Sequence, residues 1–314
     1  MEPSVTAVFE PVTCTWQYIV SDPSTRSAAI IDSVLDYNST TAAISTRSAD
    51  ALLSIIAEKN LNVTLILETH AHADHLTAAS YLQNKLSDPQ AVDGAGSVKP
   101  PICVGERIKQ VQSTFAAKYG MSEQEYAGVF DKLWNDDEEF AIGGLSARAV
   151  HLPGHTPDHM GYHVGNNVFV GDSIFQPDVG SARADFPGGS APAIYDSCRN
   201  KLLSLPGETK IWVGHDYPPS SNSPEDSGRA PRPWATVDEH RQHNIHLRDG
   251  VGREDFTQMR STRDSKLSAP RLIDQALRVN ICGGRLHGFE KDGDKVVKLP
   301  QGMVAETMAS WRGL

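Results

Sequence analysis

Residues 63–76 read VTLILETHAHADHL: a short apolar run, then three histidines, a glutamate and an aspartate within the nine positions 68–76. VTLIL has the composition of a buried strand, and LTAASYLQNKL (76–86) reads as a helix, so the polar cluster occupies a strand-to-helix loop. Loops at the carboxyl ends of strands are where α/β proteins place ligands. If the loop leaves the strand extended, side chains two apart point the same way, and His70, His72 and Asp74 converge on one point. His75, at the helix start, then reaches a neighbouring point beside Asp74, so one segment offers ligands to two adjacent cations. Imidazole nitrogen with carboxylate oxygen suits zinc, iron or manganese, whereas calcium takes oxygens only. Glu68 is either an outer carboxylate that holds a ligand histidine or an ordinary strand-end residue.

Working outward, TWQYIV (15–20) and SAAIID (27–32) read as strands across the turn SDPST. Residues 39–59 take a helical pattern, with Leu52, Ile55 and Ile56 on one face and Ser39, Thr40 and Thr41 offering capping hydroxyls. ARAVHL (147–152), GYHVG (161–165) and NVFVGD (167–172) read as strands, APAIYDSCRNKLLSL (191–205) as a helix, and KIWVGHD (210–216) as the last strand. Three of these ends carry a further ligand type: His155 in HLPGHTPDH, Asp172 in VFVGDS and His215 in WVGHDY. Two segments read as exposed loops: SDPQAVDGAGSVKPP (87–101) and YPPSSNSPEDSGRAPRPW (217–234). Within the first, DGAGSV has no preceding strand, so a phosphate loop is discarded. The second is rich enough in Pro and Ser to move and to help cover a site at the strand ends. Beyond Ala235 the polar, charged sequence reads as surface helices. His240, His243 and His246 share one helical face that is solvated or turned toward a second copy, which is compatible with a homodimer. His159 and His163 read as loop or supporting residues.

Composition narrows the function. With 314 residues the chain builds a large core; 39% hydrophobic and 22% charged residues are ordinary for a globular protein. A net charge of −10 repels phosphate backbones, which argues against nucleic acid and leaves a small molecule as the expected partner. No apolar run approaches a membrane span, and the first residues lack the basic region of a signal peptide. Cys14, Cys103, Cys198 and Cys282 lie far apart, which fits reduced thiols and a cytoplasmic location.

The order H-x-H-x-D-H, G-H-T, G-D, G-H-D resembles that of the metallo-β-lactamase superfamily. That resemblance implies a four-layer αββα sandwich (α/β, or α+β, in class) with its metals at one edge. It implies a catalytic domain over 1–235 and a C-terminal helical extension, 236–314, packed on the same domain. It makes His70, His72 and His155 ligands of a first metal, Asp74, His75 and His215 ligands of a second, and Asp172 the bridge. ETHAHADHLTAA, GHTPDHMGY, VGDSIFQPDVGSARADFPGG and VGHDYPP resemble more narrowly the glyoxalase II and persulfide dioxygenase branch.

Two chemistries follow from it. In a hydrolase, one or two Zn(II) ions generate hydroxide at neutral pH, and Asp74 serves catalysis by orienting it toward a lactam, lactone or thioester carbonyl. In a persulfide dioxygenase, one Fe(II) is held by His70, His155 and Asp172. Arg183 and Tyr217 match positions that the dioxygenase family uses around its substrate, and Arg183 suits a substrate carboxylate. Against that, VNICGG (279–284) puts Cys282 where the family has an arginine and Gly283 where it has Ala or Cys, and Ala184 stands where Cys is common. These departures point to a less anionic substrate, and the hydrolase is the expected activity with the dioxygenase as the alternative.

Overall fold

A strand's side chains alternate between its two faces, so a strand that is buried throughout must feed two different layers. The computed structural model describes residues 2–87, 99–218 and 228–286, with the short strands Glu290–Lys291 and Asp294–Lys295. The expected loop DGAGSV, the centre of the Pro/Ser-rich segment and most of the chain beyond 286 lie outside the described residues.

The elements run β1 (Ser4–Glu10), β2 (Thr15–Ser21), β3 (Ser27–Ile31), β4 (Val34–Asn38), β5 (Ala43–Ser45), α1 (Arg47–Glu58), β6 (Asn62–Leu67), β7 (Leu76–Thr77), α2 (Ala79–Leu86), β8 (Ile102–Gly105), α3 (Ile108–Tyr119), α4 (Glu123–Tyr126), β9 (Lys132–Trp134) and β10 (Glu139–Ile142). They continue with β11 (Leu145–His151), β12 (Met160–Val164), β13 (Asn167–Phe169), α5 (Ala191–Ser197), β14 (Lys210–Trp212), β15 (Trp234–Thr236), α6 (Val237–His243), α7 (Arg253–Asp264) and α8 (Ile273–Asn280). One six-stranded sheet has the order β1-β2-β3-β6-β8-β9 and the other β10-β11-β12-β13-β14-β15; β5-β4-β7 form a small third sheet.

The alternation explains the layers. Tyr18, Val20, Ala29, Ile31 and Leu67 of the first sheet meet Ala147, Tyr162, Phe169 and Trp212 of the second in one apolar core. Their neighbours Ile19, Ala28, Ile30 and Ile66 point outward under α1, α2 and α8, with Leu52, Leu82 and Ala276. On the far side, Val150, Val168 and Ile211 pack under Ile194 of α5, Val237 of α6 and Phe256 of α7. The result is helix, sheet, sheet, helix. Phe169, only 1% exposed, stacks on Trp212 and meets Tyr18 edge-on; truncating such a ring costs about 3–5 kcal/mol. Residues beyond 235 join both outer layers through Val237, Phe256, Ala276 and Val279. Among the described residues no helix is long and apolar enough to cross a membrane.

The structure corrects several local expectations. The helix expected over 39–59 begins only at Arg47, because 39–45 go to a turn and to β5, paired with β4. Ser39, Thr40 and Thr41 therefore cap nothing; Thr46 stands at the helix start and its hydroxyl donates to Asp50. The strand at 210–212 is not the last, since β15 pairs antiparallel beside it. The helices after 235 are not all superficial: Ile273, Ala276, Leu277 and Val279 of α8 are buried. Nor do His240, His243 and His246 form a solvated face, because α6 ends at His243 while His240 and His246 are buried.

Candidate metal centre

β3, β6 and β8 run parallel in the first sheet, as do β13 and β14 in the second, with β11 directed the same way through antiparallel β12. Their carboxyl ends carry Asp32, the 68–75 loop, His155, Asp172 and His215. Thr15 bridges to His215, and Trp16 N–H donates to Gly214 O at 2.8 Å, which ties the two rims together. Close approach is built into the glycines of the G-D and G-H pairs. A Cβ on Gly171 would stand 2.5 Å from Thr69 Oγ1, and one on Gly214 2.5 Å from Asp172 Oδ1.

The 68–75 loop is buried, so its backbone polar groups need partners. Three side chains from distant elements supply them. Asp32 accepts from Thr69 N–H at 2.8 Å and Asp158 from Ala71 N–H at 2.9 Å. Asn280 donates to His72 O and His75 O, both at 2.8 Å, and accepts from Thr77 N–H at 2.8 Å. Sequence reading missed all three. Asp32 ends a strand as Asp172 does, and Asn280 stands two residues before Cys282, so both carried a signal of position.

Ring-nitrogen commitments show which atoms are left for a cation. His70 Nδ1–H faces Thr69 Oγ1 at 3.0 Å, since that hydroxyl is spent on Asp32, and Nε2 is buried with no partner among the described residues. His155 donates from Nδ1 to Arg183 O at 2.9 Å, which turns Nε2 toward Asp172 Oδ2, 3.8 Å away. His75 donates from Nδ1 to Leu76 O at 3.2 Å, and its Nε2 has no hydrogen-bond partner among the described residues. His72 donates from Nε2 to Asp32 Oδ1 at 3.1 Å, and its Nδ1 has no hydrogen-bond partner among the described residues. Burial, reinforced by neighbouring imidazoles, drives the His70 pKa well below 6.5 and that of His75 to about 4, so both rings are neutral, the state that ligates.

His215 differs. It donates from Nδ1 to Asp172 Oδ1 at 2.7 Å, and its Nε2 lies 3.0 Å from Thr15 Oγ1 and 2.6 Å from Asp74 Oδ2. The Asp74 contact is off the line a ring N–H requires, and that oxygen has no hydrogen-bond donor among the described residues. Burial opposes charge on His215, but Asp172 and Asp74 outweigh it and raise its pKa well above 6.5. The ring thus stands between two carboxylates.

Four groups bring one atom from each member within 4.8 Å of the others: His70, His155 and Asp172; His72, Asp74 and His75; Asp74, Asp172 and His215; and Asp32, Glu68 and His72. All seven residues singled out in the sequence thus lie at one rim. His72 lies between the two sets: its ligand atom falls with those of Asp74 and His75, while its ring is 4.1 Å from that of His70 and 4.2 Å from that of His75. His72 Nε2 lies 3.1 Å from Asp32 and 3.6 Å from Glu68, on the inner side of the loop. Bare buried nitrogens beside carboxylates fit a transition-metal ion in the first group and permit another in the second.

A cleft of about 400 Å³ opens over Asp74, His155 and Asp172. Tyr217, 45% exposed, stacks flat over His215, and Phe175 stands edge-on to both rings. Arg183 lines the cleft, but its guanidinium is forked onto Asp185 at 2.6 and 2.9 Å and donates to Ser268 O at 2.9 Å. Cys282 is elsewhere: it is 1% exposed, in an apolar cluster with Val104, Ile108 and Phe186. The substitution there reports on packing, so it carries no inference about substrate charge. His159 supports the site, accepting at Nε2 from Asp172 N–H at 3.0 Å and stacking on His70.

Residues 13–215 match the Metallo-beta-lactamase superfamily. The chain is 42% identical to a beta-lactamase hydrolase-like protein of Agrobacterium fabrum over 95% of its own length, and it spans only 64% of that relative. It is 40% identical to Glyoxylase B2 of Dictyostelium discoideum (91% of this chain, 92% of the relative) and 29% identical to the human mitochondrial persulfide dioxygenase ETHE1 (88% and 87%). The crystal structure of ETHE1 from Myxococcus xanthus superposes with a TM-score of 0.67 at 27% identity, over 90% of this chain and 100% of that one. A sandwich with ligand-bearing loops at one rim, matched over most of its length, places this enzyme chain in the metallo-beta-lactamase superfamily.

Proposed function

We propose that the chain is a mononuclear Fe(II) persulfide dioxygenase. The observation that carries this reading is the first group: two imidazoles and one carboxylate, His70, His155 and Asp172, with a ligand atom of each within 4.8 Å of the others. Two histidines with one carboxylate is the ligand set of non-haem Fe(II) oxygenases, which keep positions open for substrate and O₂. Bound there, Fe(II) would supply oxygen activation and a site for a sulfur anion. The net reaction is R–S–SH + O₂ + H₂O → R–SH + SO₃²⁻ + 2H⁺, in which the terminal sulfur is oxidised and O₂ reduced.

The protein's own residues do the rest. His215 fixes Asp172 Oδ1 and leaves Oδ2 toward His155. Tyr217 and Phe175 wall the cleft on one side with rings that limit water. Arg183, Arg260, Arg263 and Arg271 line it; the first two are paired with Asp185 and Asp264, and the other two attract an anion into an otherwise acidic protein.

One observation favours the hydrolase: His72 Nδ1, Asp74 Oδ2 and His75 Nε2 also have no hydrogen-bond partner among the described residues and form a second group. A second ion there would create the two-metal site of a hydrolase acting on a thioester, lactone or lactam. Oxygen uptake with glutathione persulfide, run beside hydrolysis of a glutathione thioester on the same metal-analysed preparation, separates the readings. Persulfide-dependent oxygen uptake by iron-loaded protein supports the proposal. Thioester hydrolysis by zinc-loaded protein without oxygen uptake refutes it.

A further inference from the structure

The cleft over the first group adjoins a second cavity of about 560 Å³ beneath β4 and β5, and Val12, Thr13, Arg271 and Leu272 line both. His75 also lines the second cavity, so the two spaces flank the metal-ligand loop.

The four arginines of the cleft fall into two classes. Arg183 is spent on Asp185 and Ser268 O; Arg260, 2% exposed, is spent on Asp264 at 2.6 and 3.0 Å and on Ser181 O at 3.2 Å. Arg271 is exposed and makes no hydrogen bond or ion pair among the described residues. Arg263 lies 3.3 Å from His246 Nε2, but Ser181 N–H donates to His246 Nδ1 at 3.0 Å. The neutral ring therefore keeps its proton on Nε2, and Arg263 meets a donor there instead of an acceptor. In a chain with 39 acidic and 29 basic side chains, two guanidinium groups beside one cleft have no carboxylate partner among the described residues. The acids of the second cavity cannot serve them. Glu10 accepts from Val12 N–H, Thr13 N–H and the Thr13 hydroxyl, and Asp36 from Ser48 N–H and its hydroxyl. A guanidinium binds a carboxylate through paired, charge-assisted hydrogen bonds and is far less satisfied by water alone.

We infer that Arg271, aided by Arg263, is the carboxylate anchor of the substrate. The reacting sulfur lies in the cleft over His155 and Asp172, and the carboxylate-bearing remainder crosses Arg271 toward the second cavity. The substrate class is an extended, peptide-like thiol derivative with at least one carboxylate; Val12, Tyr217 and Leu267, all exposed at the cleft, receive its apolar parts. Arg183 is a structural partner of Asp185. This assignment rests on the persulfide reading for its sulfur end only.

The test compares glutathione persulfide with the carboxylate-free 2-hydroxyethyl persulfide in the iron-loaded wild type, Arg271→Ala, Arg271→Lys, Arg263→Ala and Arg183→Ala proteins. The preference for glutathione persulfide, as a ratio of kcat/KM values, falls about 10- to 100-fold in Arg271→Ala, mostly through KM, and less in Arg263→Ala. Arg271→Lys recovers part of it, and Arg183→Ala changes it less than about threefold. An unchanged ratio in Arg271→Ala, or a loss confined to Arg183→Ala, overturns the anchor. If the wild type consumes no oxygen with either persulfide, the proposed reaction fails, and calorimetric titration of glutathione into metal-loaded protein decides the anchor alone. Binding weakened about tenfold or more by Arg271→Ala upholds it; equal binding, or none to the wild type, overturns it.

Discussion

Two groups of the same residue types lie side by side at the sandwich rim, yet they are built differently. His72, Asp74 and His75 come from four consecutive residues of one loop, held by Asn280 from behind. His70, His155 and Asp172 come from three loops on two sheets and meet only because the sheets pack. The first kind of site is local and visible in a sequence, whereas the second is a product of tertiary structure. In both groups a hydrogen bond at one ring nitrogen orients the other, at Nδ1 in His70, His155 and His75 and at Nε2 in His72. On the proposed mononuclear reading, the resident metal belongs to the long-range group and the local one supports it.

That assignment is open to attack at both groups. Asp172→Ala, His70→Ala or His155→Ala removes a ligand worth several kcal/mol, and kcat/KM falls about 10³-fold or more with loss of bound metal. His75→Ala, by contrast, costs about 10- to 100-fold, the range of a supporting residue. Equal losses at His75 and His155, measured as kcat/KM on metal-analysed protein, would erase the distinction between the groups. Asn280→Ala leaves two buried carbonyls of the local group without donors and costs about 1–3 kcal/mol. Denaturant unfolding of the wild type and variant reads that loss.

A smaller effect comes from histidines outside both groups. Burial, first of all, lowers the pKa of His240 to about 3 and that of His246 to about 4. The unfolded chain, with histidines near 6.5, takes up these protons first as pH falls. Stability is therefore complete above about pH 6.5 and is lost progressively toward pH 3–4; for His240 the loss at pH 5 is about 2 kcal/mol. His240→Asn flattens the dependence of unfolding free energy on pH between 7 and 5. An unaltered slope would move the acid sensitivity to the metal-centre histidines.

Much of the fold was legible because the short apolar runs TWQYIV, SAAIID and VTLIL mark strands that face two apolar layers. The helix start at Arg47 was not, since the polar 39–46 stretch carries no periodicity and its conformation follows from the pairing of β5 with β4. The seven rim residues were legible from types and order at strand ends. The place of His72 between the two sets was not: it depends on Asp32, Glu68 and Asn280, and no local spacing encodes their contacts with it. The meaning of Cys282 likewise depended on its depth, because only its burial among Val104, Ile108 and Phe186 separates a packing substitution from a substrate contact.

Metal stoichiometry in purified wild-type and His75→Ala proteins tests the central claim most directly. One iron per chain in both is the predicted result. Two ions per wild-type chain falling to one in His75→Ala would contradict it, making the local group a true second metal site and the enzyme a dinuclear hydrolase in design.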